Sequence, residues 1–575
     1  MKTSSVSGKN WIIKKYNHET ANYLKDNFNL SEIISRLLSI RNIKIEEVNL
    51  FLNPRIKNLL PNPFILKDME KSVNRTIKAI ISKEKIGIFG DYDVDGATST
   101  ALLGNYFNKL DQPSSIYIPD RKKEGYGPNP QGFNKLISEG SSVIFTVDCG
   151  TMSFDTINSL KNKIDVIVLD HHQSEIKLPK AFSVVNPNRL DDNSKLNYLC
   201  AAGVCYMFLI ALNKKLRDLK WFEKNHIKEP NLMDFLDLVS LGTVCDVVPL
   251  VGLNRAFVSQ GLKIINKISN PGLKILKNIC GIETNLNTYH LGYVLGPRIN
   301  AGGRVGKSSK GTELLISSDK NLNFVMARQL NEYNALRKKI ELQVEKEAIR
   351  QVDDNANVLC VNSDNWHPGV IGIVASKLVE KFNKPSIVIS ENTDLCKASC
   401  RSVNDFDIGN LIIEAVEKKI IETGGGHKMA GGFSVKKDKI TELKKFLKDK
   451  YNPKSSEYIK YYDYDLKLSS IDMNLFNEIQ KISPFGIGNS TPKFLIRDCI
   501  IKFPRIVGEK HLSCIVSDIY KNEFKSIAFN AIDNSINNFI VSNIQEMFSL
   551  IVTLSKNTWL GQEKIELRIE DVINS

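Results

Sequence analysis

The sequence lacks any apolar run approaching the roughly 18–20 residues that a bilayer crossing needs, which excludes a membrane-spanning helix. The opening residues, MKTSSVSGKNWIIKKYN, carry lysines but no apolar stretch of the kind a secretory signal requires, so none is expected. Ten cysteines are scattered without a CxxC pair, the closest spacing being Cys396 to Cys400. They read as reduced, mostly buried thiols of a cytoplasmic protein, and they offer no pattern for structural zinc. Internal repeats and low-complexity tracts are also missing. What remains is an ordinary globular composition, 42% hydrophobic and 25% charged. A chain of 575 residues exceeds one core, so three or four domains are expected.

One imbalance stands out, a formal net charge of +14. That suits a polyanionic partner, because lysine and arginine near phosphates gain attraction and counterion release. Scattered lysines in a chain rich in Lys, Asn and Ile are equally what a solvated surface carries, so charge alone does not decide for nucleic acid.

Along the chain, a polar segment of helical pattern ends near Asn53-Pro54 and Pro61-Asn62-Pro63. From Lys85 short apolar runs at 86–89, 143–147 and 166–169 alternate with helical stretches such as 98–110. This alternation predicts a parallel sheet covered by helices. The stretch 322–352 has no Gly or Pro and carries Leu322, Val325, Met326, Leu330, Tyr333, Leu336, Ile340 and Val344 among charged residues. It reads as one long helix connecting two lobes. A second alternating unit follows, with strand 357–361, helix 371–382 and strand 385–390. From about 456 the pattern becomes strands, including 494–501, 512–516 and 548–554, and predicts a small barrel.

The chemistry concentrates at strand ends. Immediately after the first strand comes Gly90-Asp91-Tyr92-Asp93-Val94-Asp95-Gly96. Three carboxylates within five residues repel one another, and a divalent cation reverses that energy. A solvated acidic turn or a calcium loop would show the same local pattern. The next strand runs into Asp148-Cys149-Gly150 and the one after it into Asp170-His171-His172. In an open parallel sheet these carboxyl ends share one edge, where ligands bind. A mixed Asp/His set without cysteine suits Mn²⁺ or Mg²⁺. Asp246 closes the apolar segment 236–245, where a helix dipole disfavours an acid and a metal would compensate.

Four stretches in this order, 90–96 (GDYDVDG), 147–150 (VDCG), 170–172 (DHH) and 245–250 (CDVVPL), resemble the motifs of the DHH phosphoesterases. Residues 296–304 (GPRINAGGR), 366–372 (WHPGVIG), 424–432 (GGGHKMAGG) and 484–489 (PFGIGN) narrow the resemblance to the single-strand-specific 5′→3′ exonuclease branch, from about Trp11 onward. The resemblance implies an α/β multidomain chain. A helical extension (1–50) precedes a parallel-sheet DHH catalytic domain (51–320). A connecting helix (321–353), a smaller DHHA1-type α/β substrate-binding domain (354–452) and an OB-fold β-barrel (453–575) follow.

Residue by residue, the resemblance implies two divalent cations, Mn²⁺ or Mg²⁺, bridged by Asp148. Asp93 would hold one, and Asp95, His171 and Asp246 the other. His172 would meet the scissile phosphate, Asp170 would orient a histidine, and Asp91 stands beside the first ion. Phe89 occupies a position where many members carry a histidine. Arg121, Arg304, Ser399 and Arg401 would surround a terminal 5′-phosphate, with Ala398 standing where a Gly is common. Arg298, Asn300, Gly425, Gly426 and His427 complete the substrate-binding set. Trp559 and His511 are candidates for stacking bases on the barrel.

The implied activity is 5′→3′ hydrolysis of single-stranded DNA to 5′-mononucleotides, in repair and recombination. The chain would act as a cytoplasmic monomer beside a helicase and a single-strand-binding protein. The rival readings are a DHH phosphodiesterase for short oligonucleotides or cyclic dinucleotides, a small-substrate pyrophosphatase, and a non-catalytic DNA-binding scaffold.

Overall fold

The computed structural model describes residues 3–121, 123–125, 127–267, 270–452, 458–508, 510–533, 535–543, 546–559 and 562–574. They form two compact units: Met1–Tyr117 with Gly127–Gly296 and Glu457–Ser575, and Ile118–Tyr126 with Pro297–Ser456.

The first unit holds a five-stranded parallel sheet in the order Ser114–Tyr117, Lys85–Gly90, Ser141–Val147, Asp165–Leu169, Ser183–Val185. Its inner strands are near-continuous apolar runs because both faces are covered. Helices Val94–Lys109 and Ala201–Asp218 pack against each other beside it. Local signals set the helix starts. Asp93 caps helix Val94–Lys109 by accepting from Gly96 N, and Asn129 with Pro130 opens helix Pro130–Ser138.

The same unit contains a five-stranded barrel. Its strands run Phe494–Val507, His511–Ser517, Glu523–Ala528, Gln562–Asn574, Met547–Trp559, and the last pairs back to the first. The expected helical extension does supply helices: Leu24, Ile34, Leu37 and Leu38 share a core with Ile496, Leu550 and Leu567 of the barrel. It begins, however, with strands Thr3–Ser4 and Lys9–Ile13, the latter parallel to Tyr458–Tyr462. Trp11 explains this difference. It is buried with Tyr462, Leu495, Ile551 and Ile573, and its indole donates to Asp571 over 2.8 Å. These partners are too distant in sequence for a local pattern to reveal.

A buried arginine ties the barrel's approach loop to the parallel-sheet domain. Arg255 donates to the carbonyls of Phe51, Ile482, Ser483 and Pro484, while Leu250 N bonds Ile487 O over 2.8 Å.

The second unit is built on a mixed sheet in the order Thr423–His427, Ala430–Lys436, Leu395–Arg401, Ser386–Ser390, Leu359–Ser363, of which the last pair alone is parallel. The long helix Lys320–Arg350 starts at an Asp319 cap. It is more than a connector. Val344 and Ala348 join the core of Trp366, Val374 and Leu378, and Lys377 reaches Glu341 and Glu345 at 2.8 and 2.6 Å. All ten cysteines are free thiols, and among the described residues no helix is long and apolar enough to cross a membrane.

Candidate active site

The parallel sheet brings the acidic motifs together at the carboxyl ends of its strands. After Lys85–Gly90 the chain turns so tightly that a side chain at Gly96 would lie 2.6 Å from Asp91 O, which explains the glycine. Strand Ser141–Val147 delivers Asp148 in a left-handed conformation, φ +59°. His171 Nε2 stands at the centre, 3.3 Å from Asp148 Oδ1, 3.6 Å from Asp246 Oδ2 and 3.8 Å from Asp95 Oδ2. Three groups converge closely enough to share an ion: Asp91/Asp93/Asp148, Asp95/His171/Asp246 and Asp148/His171/His172. Asp148 belongs to two of them. Asp91, weighted below Asp93 by sequence, lies in the first group as directly as Asp93 does.

The electrostatics match a cation site. Burial pushes the Asp148 carboxyl well above its usual range, and Asp93, Asp95, Asp91 and Asp246 push the same way. Asp246 is raised by burial, Asp95 and Asp93, and its Oδ2 is buried without a hydrogen bond. Asp95 is also raised by burial, although His171 and the amides of Ala202 and Ala201 oppose the shift. Burial depresses the His171 pKa, leaving it a neutral donor. Mutually repelling buried carboxylates beside a neutral imidazole fit a hard divalent cation, which would relieve the repulsion and use every donor.

Asp170 does different work. Its carboxylate accepts from Thr151 N at 2.9 Å and His171 N at 2.7 Å, and lies 2.7 Å from His172 Nδ1. Burial works against the charged form, yet the His172 hydrogen bond holds the Asp170 pKa below the usual range. In return, Asp170 overcomes burial and pushes His172 up to about 9. Phe89 turns away into an apolar cluster, with its ring 5.4 Å from Tyr117 and 5.5 Å from Phe133. It contributes no donor.

Several supporting groups escaped the sequence reading. The first amides of helix Ala201–Asp218 bind Asp95, Ala201 N to Oδ2 at 2.7 Å and Ala202 N to Oδ1 at 2.9 Å. Asn186 Nδ2 donates to His172 O at 2.8 Å, and Asn188 Nδ2 donates to His171 O. These asparagines follow strand Ser183–Val185 at the same sheet edge, so the strand-end rule that found Asp148 would have reached them.

In the second unit the predicted phosphate ligands largely converge. Strand register aligns Ser399 with Gly432 and Gly425, and Arg401 with Ala430 and His427, on one face of the sheet. The residues between them have almost no side chain, which leaves that face flat. Helix Ile371–Phe382 starts against it: a side chain at Gly372 would lie 2.9 Å from Ser399 Oγ, and Arg304 Nη1 donates to Gly369 O at 3.0 Å. Burial lowers the Arg401 pKa and the charge of Arg121 adds to the effect, so like charges face one another near a helix N-terminus. Such an arrangement favours an anion. The helix start at 369–372 was not assigned to this site from sequence. Gly426 points to the opposite face, where a side chain would meet Ala430 O at 2.5 Å. Arg298 bonds Asn331 on the long helix at 2.9 Å, near Arg337 and Lys338, and Asn300 is half-buried on the same helix as Arg298.

Comparison with known proteins agrees with this architecture. The DHH family N-terminal domain matches residues 85–243, the DHHA1 domain 355–452, and the RecJ OB domain 462–571. The chain is 30% identical to the single-stranded-DNA-specific exonuclease RecJ of Bacillus subtilis, over 98% of this chain and 70% of the relative. Identity is also 30% to the protein of that name from Escherichia coli, over 94% and 96% of the two chains. The crystal structure of RecJ in complex with Mn²⁺ from Thermus thermophilus superposes with a TM-score of 0.79 at 25% identity, covering 98% of this chain and 79% of that one. Near-complete coverage at this identity, with the DHH, DHHA1 and RecJ OB domains matched in order, means that the chain belongs to the RecJ family of single-stranded-DNA-specific exonucleases, built on the DHH fold.

Proposed function

We propose that this chain hydrolyses single-stranded DNA from the 5′ end, releasing 5′-mononucleotides with the help of two divalent cations, Mn²⁺ or Mg²⁺. The observation that carries the reading is the carboxylate of Asp148, which belongs to the Asp91/Asp93 group and also lies 3.3 Å from His171 Nε2. Asp91, Asp93 and Asp148 would hold one ion, and Asp95, Asp148, His171 and Asp246 the other. Bound there, the ions would acidify an attacking water and neutralise charge on the phosphate oxygens.

The chain's own residues do the rest. Asp170 keeps His172 oriented and protonated, so that an imidazolium meets the scissile phosphate. The amides of Ala201 and Ala202 keep Asp95 from swinging away. Arg121, Arg304, Ser399 and Arg401, with Gly425 and His427 across the flat face, would bind the terminal phosphate and neighbouring nucleotide. Arg298, Asn300 and Gly426 belong to the proposed substrate-binding set with less geometric support. A bidentate guanidinium distinguishes a terminal phosphate from a hydroxyl, which gives the enzyme its end preference. The domain division 1–50, 51–320, 321–353, 354–452 and 453–575 is part of the same proposal. So are a cytoplasmic, monomeric setting in repair and recombination and partnership with a helicase and a single-strand-binding protein.

The test compares Mn²⁺-dependent digestion of single strands, duplexes and dinucleotides. Progressive digestion confined to single strands, with Arg401→Lys erasing the preference for a 5′-phosphorylated over a 5′-hydroxyl end, supports the reading. Activity restricted to dinucleotides would overturn it in favour of a short-substrate phosphodiesterase.

A further inference from the structure

Away from the metal cluster, one group of side chains in the first unit is oddly exposed. Tyr289 and Tyr293 lie one helical turn apart where the backbone widens into a π-helix, His290–Leu295, a local feature that often marks a functional site. Their rings stack with centroids 5.4 Å apart and planes 22° from parallel, yet Tyr293 is 74% exposed and Tyr289 51%. Two large rings stacked in water gain little by folding that way, because their outer faces stay wet.

The pair continues onto the barrel. The Arg568 guanidinium lies 5.8 Å from the Tyr289 ring and 5.5 Å from the ring of Phe529, itself 48% exposed. Phe529 meets His511 at 5.0 Å, and the His511 ring is fixed by accepting from Asn530 N at 3.0 Å. Strand register explains the row: Leu512 pairs with Ala528 and Ile527 with Arg568, so His511 and Arg568 come from strands on either side of Glu523–Ala528, and Phe529 follows the end of that strand. Arg568 forms no ion pair among the described residues, and its Nε is buried without a hydrogen-bond partner. The local field is positive, since Lys277 and Arg568 both depress the His290 pKa after burial has done so.

We infer that Tyr293, Tyr289, Arg568, Phe529 and His511 form a stacking seam that receives unpaired bases of a single strand, crossing from the barrel to the catalytic sheet domain. The inference deepens the proposed function and rests on it. The chemistry is specific to single strands: each ring offers a face to any base, the arginine adds a cation–π contact and a donor for phosphate, and a paired base has no free face to give. A protein partner would look instead for a contiguous apolar patch, whereas this row alternates rings with a positive charge.

The test is fluorescence-anisotropy titration in the presence of chelator, so that no strand is cut, with a base-bearing oligonucleotide and an abasic strand of equal length. The wild-type chain is expected to prefer the base-bearing strand. Tyr289→Ala/Tyr293→Ala should lose about tenfold or more on that strand while binding the abasic strand as before. Tyr293→Trp should keep the preference, because it preserves a ring. Should the double variant not fold, Tyr293→Ala alone carries the same comparison, its ring being mostly in solvent. An unchanged ratio of the two affinities in a folded alanine variant overturns the seam and points to a protein-facing surface. Because binding is read without divalent cation, a wild-type chain with no exonuclease activity would sink the function and leave this comparison intact.

Discussion

Asp170 Oδ1 and His172 Nδ1 lie 2.7 Å apart, and the pair sets the state of the histidine beside the acidic cluster. Asp170→Asn keeps the shape but removes the charge that pushes His172 up to about 9. Turnover of single strands is expected to fall about 10–100-fold, with the remaining activity shifted toward lower pH because His172 then loses its proton earlier. A pH–rate profile of the variant checks both; an unshifted alkaline limb would remove His172 from the mechanism.

The crowded carboxylates lead to a second expectation, about stability. Asp148 is buried among four other acids that raise its pKa together with burial. Without metal, Asp148→Asn should stabilise the chain by on the order of 1–3 kcal/mol, since asparagine removes the repulsion and also tolerates the left-handed φ of +59°. The wild type should gain about 2.7 kcal/mol in Mn²⁺ at a hundredfold excess over Kd, and the variant much less. Thermal unfolding with chelator and with Mn²⁺ measures the two effects.

Much of this site could be read from the sequence, for identifiable reasons. The strands that carry Asp91–Asp95, Asp148 and Asp170–His172 are continuous apolar runs ended by turns, so their shared edge follows from sheet geometry alone. The helix over 371–382 was likewise set by its own periodicity. Trp11 and strand Lys9–Ile13 were not legible, because that strand exists only through pairing with Tyr458–Tyr462. The amides of Ala201 and Ala202 carry no side-chain signature, and the Tyr289–Arg568 contact joins residues that are near one another only after folding. His511 was named as a stacking candidate and lies in the seam, whereas the side chain of Trp559 falls outside the described residues.

Val247 follows Asp246 in a left-handed conformation, φ +61°, while 61% exposed. A β-branched residue is strained there, and little burial offsets the strain. Val247→Gly is expected to raise stability by about 0.5–1 kcal/mol in denaturant titration. A loss of stability would mean that the valine side chain makes up for its backbone.

Asp237 provides a pH test away from the acidic cluster at the sheet edge. Burial raises its carboxyl to about 7, against the opposing amides of Asn270 and Leu238. An unfolded aspartate titrates near about 3.9, so the folded chain holds this proton more tightly. Its contribution is therefore full below about pH 4, declines as pH rises toward 7 and is flat above that. Comparing unfolding at pH 5 and pH 8 in chelator, the wild type should lose on the order of 1–3 kcal/mol that Asp237→Asn does not lose.

The central claim is directional, metal-dependent digestion of single strands, and the order in which label leaves a strand measures it most directly. Purified chain with Mn²⁺ is mixed with single strands labelled at the 5′ or the 3′ end. The account predicts that 5′ label appears at once as mononucleotide, that 3′ label persists in a shrinking ladder, and that Asp148→Ala abolishes both. Early release of 3′ label, internal cleavage, or undiminished activity in Asp148→Ala would contradict it.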